Sequence, residues 1–193
     1  MKKISIMALL LTVLLLLSVA GCAATPIEPD SKLPEPFSAV LCNQQTFYAN
    51  DDKKDVLLSD YLAHYDDSIL KYALVDMDSD DQPELVMQLK SLNFVLMIKK
   101  DGDIFRGFLF NLRGMYQIHR DGTHYWNDSA SASGCSRLQF KDGQYERVNL
   151  WNVENYGSDT AVYYVDYQVV SKEYYDTVAS QEREEVEWIL WQD

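Results

Sequence analysis

Across its middle the chain reads Tyr72-Ala73-Leu74-Val75-Asp76-Met77-Asp78-Ser79-Asp80-Asp81-Gln82-Pro83-Glu84-Leu85-Val86-Met87-Gln88-Leu89, and this stretch decides how the rest is understood. Tyr72–Val75 and Leu85–Leu89 are β-prone runs, each too short for a helix. Between them, carboxylates stand at alternate positions of one tight loop. Two such groups held ~5 Å apart at an effective dielectric of ~20 repel by roughly 3 kcal/mol, so a closed loop needs a cation among them. A hard ion such as Ca²⁺ takes about six to eight oxygens. A loop supplies them from its first, third and fifth positions, a backbone carbonyl at the seventh and a carboxylate further on. Here those positions are Asp76, Asp78, Asp80, Gln82 and Glu84.

The bidentate glutamate of an EF-hand would fall at Met87, which is apolar and lies in a strand pattern, so an EF-hand helix pair is not expected. The loop resembles instead the shorter strand-loop-strand calcium loops of integrin-type propellers, in which the ninth position gives the last carboxylate. The sixth position, glycine in such loops, is Asp81. Left-handed geometry there costs on the order of 1 kcal/mol, which weakens the site without abolishing it. The alternative is a solvated acidic turn.

Upstream, Leu57 to Lys71 carries Leu58, Leu62, Tyr65 and Ile69 at helical spacing, with Ser59 as N-cap. Downstream, Asp-Gly recurs between apolar runs in Phe94–Phe110, Met115–Trp126 and Arg137–Trp151. Asp-Gly so flanked signals a hairpin, because glycine accepts the positive φ of the turn. Asn127 to Gly134 reads as a small-residue loop and Tyr163 to Val170 as one strand. Ser171 caps a helix from Lys172 to about Glu184, and Val186 to Leu190 alternates as a closing strand. The fold class expected is α+β: mostly an antiparallel β meander of hairpins, with one helix before it and one near the C-terminus.

The N-terminus predicts a location. Met1-Lys2-Lys3 is a short basic head, and Ile4 to Val19 is almost unbroken apolar sequence. It is shorter than the ~20 residues that usually span a bilayer. It ends in Val19-Ala20-Gly21-Cys22, which resembles a bacterial lipobox. The expected organisation is a lipoprotein signal peptide over 1–21, a tether over 22–37 holding four of the five prolines, and a single extracytoplasmic domain over 38–193. The resemblance makes Cys22 the acylated first residue of the mature chain, with a palmitate-type lipid as its contact with the cell membrane.

The whole chain carries a net charge of −13, and loss of Lys2 and Lys3 takes it to −15. Nucleic acid and anionic membrane surfaces are therefore disfavoured as partners. The loop string, the lipobox and the order of elements are also similar to a family of uncharacterised Gram-positive lipoproteins that share an Asp-x-Asp-x-Asp-Gly-x-Pro-Glu-Leu loop. That resemblance implies an extracytoplasmic, calcium-binding protein and brings no activity with it.

Beyond Cys22 there are only Cys42 and Cys135, a candidate disulfide in an exported chain. His119 and His124 flank the Asp121-Gly122 turn but have no clear third metal ligand. No nucleophile elbow is present, and carboxylate number alone is no argument for a hydrolase, so no catalytic residue is named. Tyr125, Trp126, Trp151, Tyr156, Tyr163, Tyr164 and Tyr167 gather in the β-rich half. Of these, Trp126, Trp151, Tyr163 and Tyr164 are candidates for a glycan- or peptide-binding platform, because flat rings stack on ligands with little entropy loss. The leading expectation is a structural or interaction role with one structural Ca²⁺, and a cell-surface glycan or protein as partner. The sequence leaves ligand and oligomeric state open.

Overall fold

A computed structural model describes residues 35–90 and 94–192. The signal segment, Cys22 and the tether up to residue 34 lie outside them. The described chain is mostly β and its sheets are almost wholly antiparallel. In order the elements are α1 (Glu35–Leu41), β1 (Phe47–Ala49), β2 (Lys54–Val56), α2 (Leu58–His64), β3 (Ile69–Val75), β4 (Glu84–Leu89), β5 (Phe94–Asp101) and β6 (Ile104–Asn111). There follow β7 (His124–Ser129), β8 (Ala132–Lys141), β9 (Gln144–Glu154), β10 (Val162–Val165), β11 (Gln168–Val170), α3 (Lys172–Ala179) and β12 (Ile189–Leu190).

Two sheets with helices on both outer faces make four layers. The larger sheet runs β12-β3-β4-β5-β6-β1-β2, with β1 beside β6 as its parallel pair, and the smaller runs β11-β10-β9-β8-β7. One face of the larger sheet carries Tyr72, Leu85, Met87, Leu96 and Ile98, packed under Phe37 and Val40 of α1 and Tyr61 of α2. Its other face carries Ala73, Val75, Val86, Val95 and Met97, packed against Met115, Ile118 and, from the smaller sheet, Leu138. Cover on both faces explains why β4 and β5 read as continuous apolar runs and not as an alternation. Across the smaller sheet, Tyr125, Trp151 and Tyr163 line the opposite face, where Tyr175 of α3 stacks on Trp151 and Tyr163 with ring centroids 5.6 and 5.0 Å apart.

Several expectations need correction. The tether expected to reach Phe37 gives way at Glu35 to α1, because Phe37 is apolar and has a core to enter. The first helix stops at His64, not Lys71: Asp66 turns the chain at φ 51°, and Ile69 to Lys71 extend β3. Ser59 is not its cap. The helix opens at Leu57 with no side-chain cap there, and Asn43 Oδ1 accepts the Ser59 amide at 2.8 Å. Residues 127–134 form the β7–β8 hairpin instead of a loop, and Tyr163 to Val170 divides into β10 and β11 through Asp166 and Tyr167, both at positive φ. Ser171 does cap α3, accepting the Tyr174 amide at 3.2 Å, but the helix ends at Ala179. The closing strand is reduced to Ile189–Leu190.

Of the three Asp-Gly turns, two join long strands. The Asp142-Gly143 turn has both central residues at positive φ, 52° and 76°, while the turn after Asp101 places Gly102 first at φ 61°. At Asp121-Gly122 the arms meet by the single bridge Tyr116–Tyr125 and by one backbone hydrogen bond from the His119 amide to the Thr123 carbonyl.

Candidate functional site

Val75 ends β3 opposite Glu84 at the start of β4, so the acidic loop closes a hairpin at one end of the larger sheet. Its backbone wraps the first carboxylate. Asp76 Oδ1 accepts the Asp80 amide at 3.1 Å and its Oδ2 accepts the Asp81 amide at 3.0 Å. Glu84 Oε2 accepts the Met77 amide at 2.8 Å. Ser79 and Asp81 take the left-handed conformation at φ 61° and 65°, so the sixth position has the geometry that glycine would accept without strain. From behind, the Met77 carbonyl accepts the Leu138 amide at 3.3 Å, and the turn at Gly122 presses on the Asp76 carbonyl. The loop is thereby wedged between the two sheets.

Asp76, Asp78 and Glu84 each bring one carboxylate oxygen to within 4.8 Å of the others. Among the described residues they are the only such convergence of three or more His, Cys, Asp or Glu groups. The sequence missed one partner. Lys99 of β5 sends its ammonium into the cluster, 2.7 Å from Asp80 Oδ2, 2.7 Å from Glu84 Oε1 and 3.0 Å from Asp78 Oδ2. Its side chain is 5% exposed, those of Asp78 and Glu84 are 3% and 1%, and that of Asp80 is 37%. The signal was available: Val95, Met97 and Lys99 alternate onto one inward face, and a lysine at a core position requires a carboxylate partner. Phe140 covers the ammonium, its ring centroid 5.4 Å from Nζ.

The electrostatics of the cluster are unbalanced. Burial pushes the Asp78 and Glu84 carboxyls up against the pull of Lys99. At Asp80 burial is outweighed by the hydrogen bonds from Lys99 and the Gln82 amide, and the carboxyl is held low. Burial also opposes the Lys99 charge, yet its three carboxylate partners hold the ammonium above the ordinary lysine range. Burial, then the charges of Glu84 and Asp78, push the Tyr145 hydroxyl upward, so this ring too faces the cluster. One ammonium stands against four carboxylates. Both oxygens of Asp78 are buried; Oδ2 has only the Lys99 ammonium, 3.0 Å away, and Oδ1 has no partner.

These donors suit a hard cation. Asp76, Asp78 and Glu84 converge, Asp80 is at hand beside them, and all are oxygen ligands, the kind calcium takes. Gln82, the remaining expected ligand, is exposed, with its amide donating to Asp80 Oδ1 at 2.9 Å.

Other expected constellations fare differently. Cys42 and Cys135 are not bonded to each other: Cys42 follows α1 beside the larger sheet, while Cys135 is buried in β8 between the Tyr125 and Trp151 positions of the smaller. Burial also pushes the Cys135 thiol upward, away from nucleophilic reactivity. His119 and His124 are buried, the first against Thr123 Oγ1 at 3.0 Å and the second with Nδ1 unpartnered. The four aromatic candidates do not form one platform. Trp126 is 4% exposed beneath the Arg147 guanidinium and shares a cross-sheet row with Tyr164, whereas Trp151 and Tyr163 occupy the opposite face under α3. The well-exposed rings are Tyr156, Tyr167 and Tyr174.

No protein-family model, no curated protein and no solved structure matches this chain.

Proposed function

We propose that the chain is a membrane-anchored extracytoplasmic lipoprotein, one α+β domain of antiparallel hairpins whose acidic loop binds a calcium ion and whose role is structural or interaction-based. The observation that carries the reading is Asp78. Its side chain is 3% exposed beside Asp76 and Glu84, its Oδ1 has no partner, and its Oδ2 has only an ammonium shared with two other acids. A divalent ion supplies the missing positive charge, with Asp76, Asp78, Asp80 and Glu84 as its protein ligands. Because the loop is wedged between the sheets, the ion would tie their junction together. The apolar run at 4–19 and the lipobox at 19–22 support the anchoring through Cys22.

The test compares melting temperature in excess Ca²⁺ and in chelator for the natural protein and for Asp78→Ala. Calcium is expected to raise the melting temperature of the natural protein and to leave the variant unmoved. No shift in the natural protein removes the calcium site. For the anchor, Cys22→Ala is expected to move the expressed protein from the membrane fraction to the soluble one.

A second reading, glycan or peptide binding, is favoured by the exposure of Tyr156, Tyr167 and Tyr174, at 63, 60 and 54%. Quenching or shift of tyrosine and tryptophan fluorescence across a glycan and peptide array tests it, and silence across the array discards it.

A further inference from the structure

We propose that Lys99 is a built-in competitor for the loop's cation: its ammonium sits among Asp78, Asp80 and Glu84 when calcium is absent and swings out when calcium binds, which makes the loop a calcium-responsive switch. This inference rests on the calcium reading above and specifies how that site is regulated.

Three of the five positions expected to ligate calcium are the three that hold Lys99, at 2.7 to 3.0 Å. A divalent ion on the Asp78 and Glu84 oxygens would stand only a few ångströms from the ammonium, in a site with little water to screen the two. The two cations exclude each other. Charge count decides which one the cluster prefers when both are offered. With Lys99 alone, four carboxylates keep a net charge of −3; with calcium in its place, −2 remains, and the ammonium need only retreat to the rim. Asp78 gives an independent sign that the ammonium is an imperfect occupant. Its side chain is 3% exposed and its Oδ1 has neither an ion pair nor a hydrogen bond.

The open side of the cluster is at Asp80, whose side chain is 37% exposed against 3% for Asp78 and 1% for Glu84. Asp80, the most exposed of its three partners, lies where a displaced ammonium can keep one contact.

Calcium is titrated calorimetrically into the natural protein, Lys99→Met and Lys99→Arg at neutral pH. Lys99→Met is expected to bind at least tenfold more tightly than the natural protein, and Lys99→Arg no more tightly than it. Equal or weaker binding by Lys99→Met overturns the competition while leaving the calcium site standing. Absence of binding by all three overturns the calcium reading itself. A second measurement needs no variant. Acetylation of Lys99 by a small anhydride, followed by mass spectrometry, is expected to rise several-fold when calcium replaces chelator. Labelling that stays constant or falls while calcium binds shows that the lysine does not leave.

Discussion

Gly122 lies so close to Asp76 that a Cβ added to it would stand 2.2 Å from the Asp76 carbonyl oxygen, and this contact seats the turn of one segment on the first residue of the acidic loop. The glycine is also at φ 76°. Gly122→Ala therefore incurs both left-handed strain, about 1 kcal/mol, and a backbone clash that must displace the loop or the turn. A total loss of about 3 kcal/mol is expected in urea unfolding. Gly102, at φ 61° with nothing within 4 Å of a Cβ, separates the two effects. Gly102→Ala should lose about 1 kcal/mol, and equal losses at the two sites would show that the contact with Asp76 contributes nothing.

Glu84 uses both oxygens inside the protein, one on the Met77 amide and one on Lys99. Glu84→Gln keeps the shape but turns an NH₂ group toward one of two donors and leaves a buried ammonium less well paired. Breaking a buried pair from one side costs about 3 kcal/mol. Chemical denaturation is expected to show a loss of that order, whereas Glu187→Gln, at a side chain 87% exposed, should leave the midpoint where it was.

The start of α2 is held from a distance. Because Asn43 and not Ser59 satisfies the helix amide, Asn43→Ala should cost about 1 kcal/mol and Ser59→Ala far less. The reverse order in thermal unfolding would return the capping role to Ser59.

His124 makes the domain sensitive to mild acid. Its ring is buried with Nδ1 unpartnered, and burial, then the charges of Arg147 and His119, push its pKa from 6.5 down to about 4. The folded state favours the neutral ring, so the unfolded chain takes up a proton first as the pH falls. Stability is thus lost between about pH 6.5 and about pH 4 and levels off below, by up to about 3 kcal/mol for this shift. The stability difference between the natural protein and His124→Phe should slope across that window and be flat above pH 7.5. A difference that is flat throughout removes the effect.

What could be read in the residues follows from how local the causes are. The place of the Asp76–Glu84 loop between two strands, the Asp142-Gly143 turn and the Ser171 cap each depend on neighbours within a few positions, and the structure bears them out. The extent of α2 was not legible, since Leu62, Tyr65 and Ile69 keep helical spacing while Asp66 turns the chain between them. That Lys99 needs a carboxylate partner was legible in its core position, but which acids supply it was not, since they lie fifteen or more residues earlier and become partners only when β5 pairs with β4. The aromatic candidates failed for the same reason: whether Trp126 faces solvent or Arg147 depends on β9 packing alongside β8.

The one parallel pairing, β1 against β6, has a consequence for the order in which the chain assembles. Strands β3 to β6 zip together through successive hairpins, each joining segments close in sequence, and such contacts form fast. The first two strands, β1 and its hairpin partner β2, have no place until β6 exists, and β12 docks on β3 only after all the other strands have been made. Both borders of the larger sheet are thus finished last, one by β1 with β2 and the other by β12. Until then β3 and β6 present open hydrogen-bonding edges, and in that interval a second unfolded copy competes with the chain's own ends.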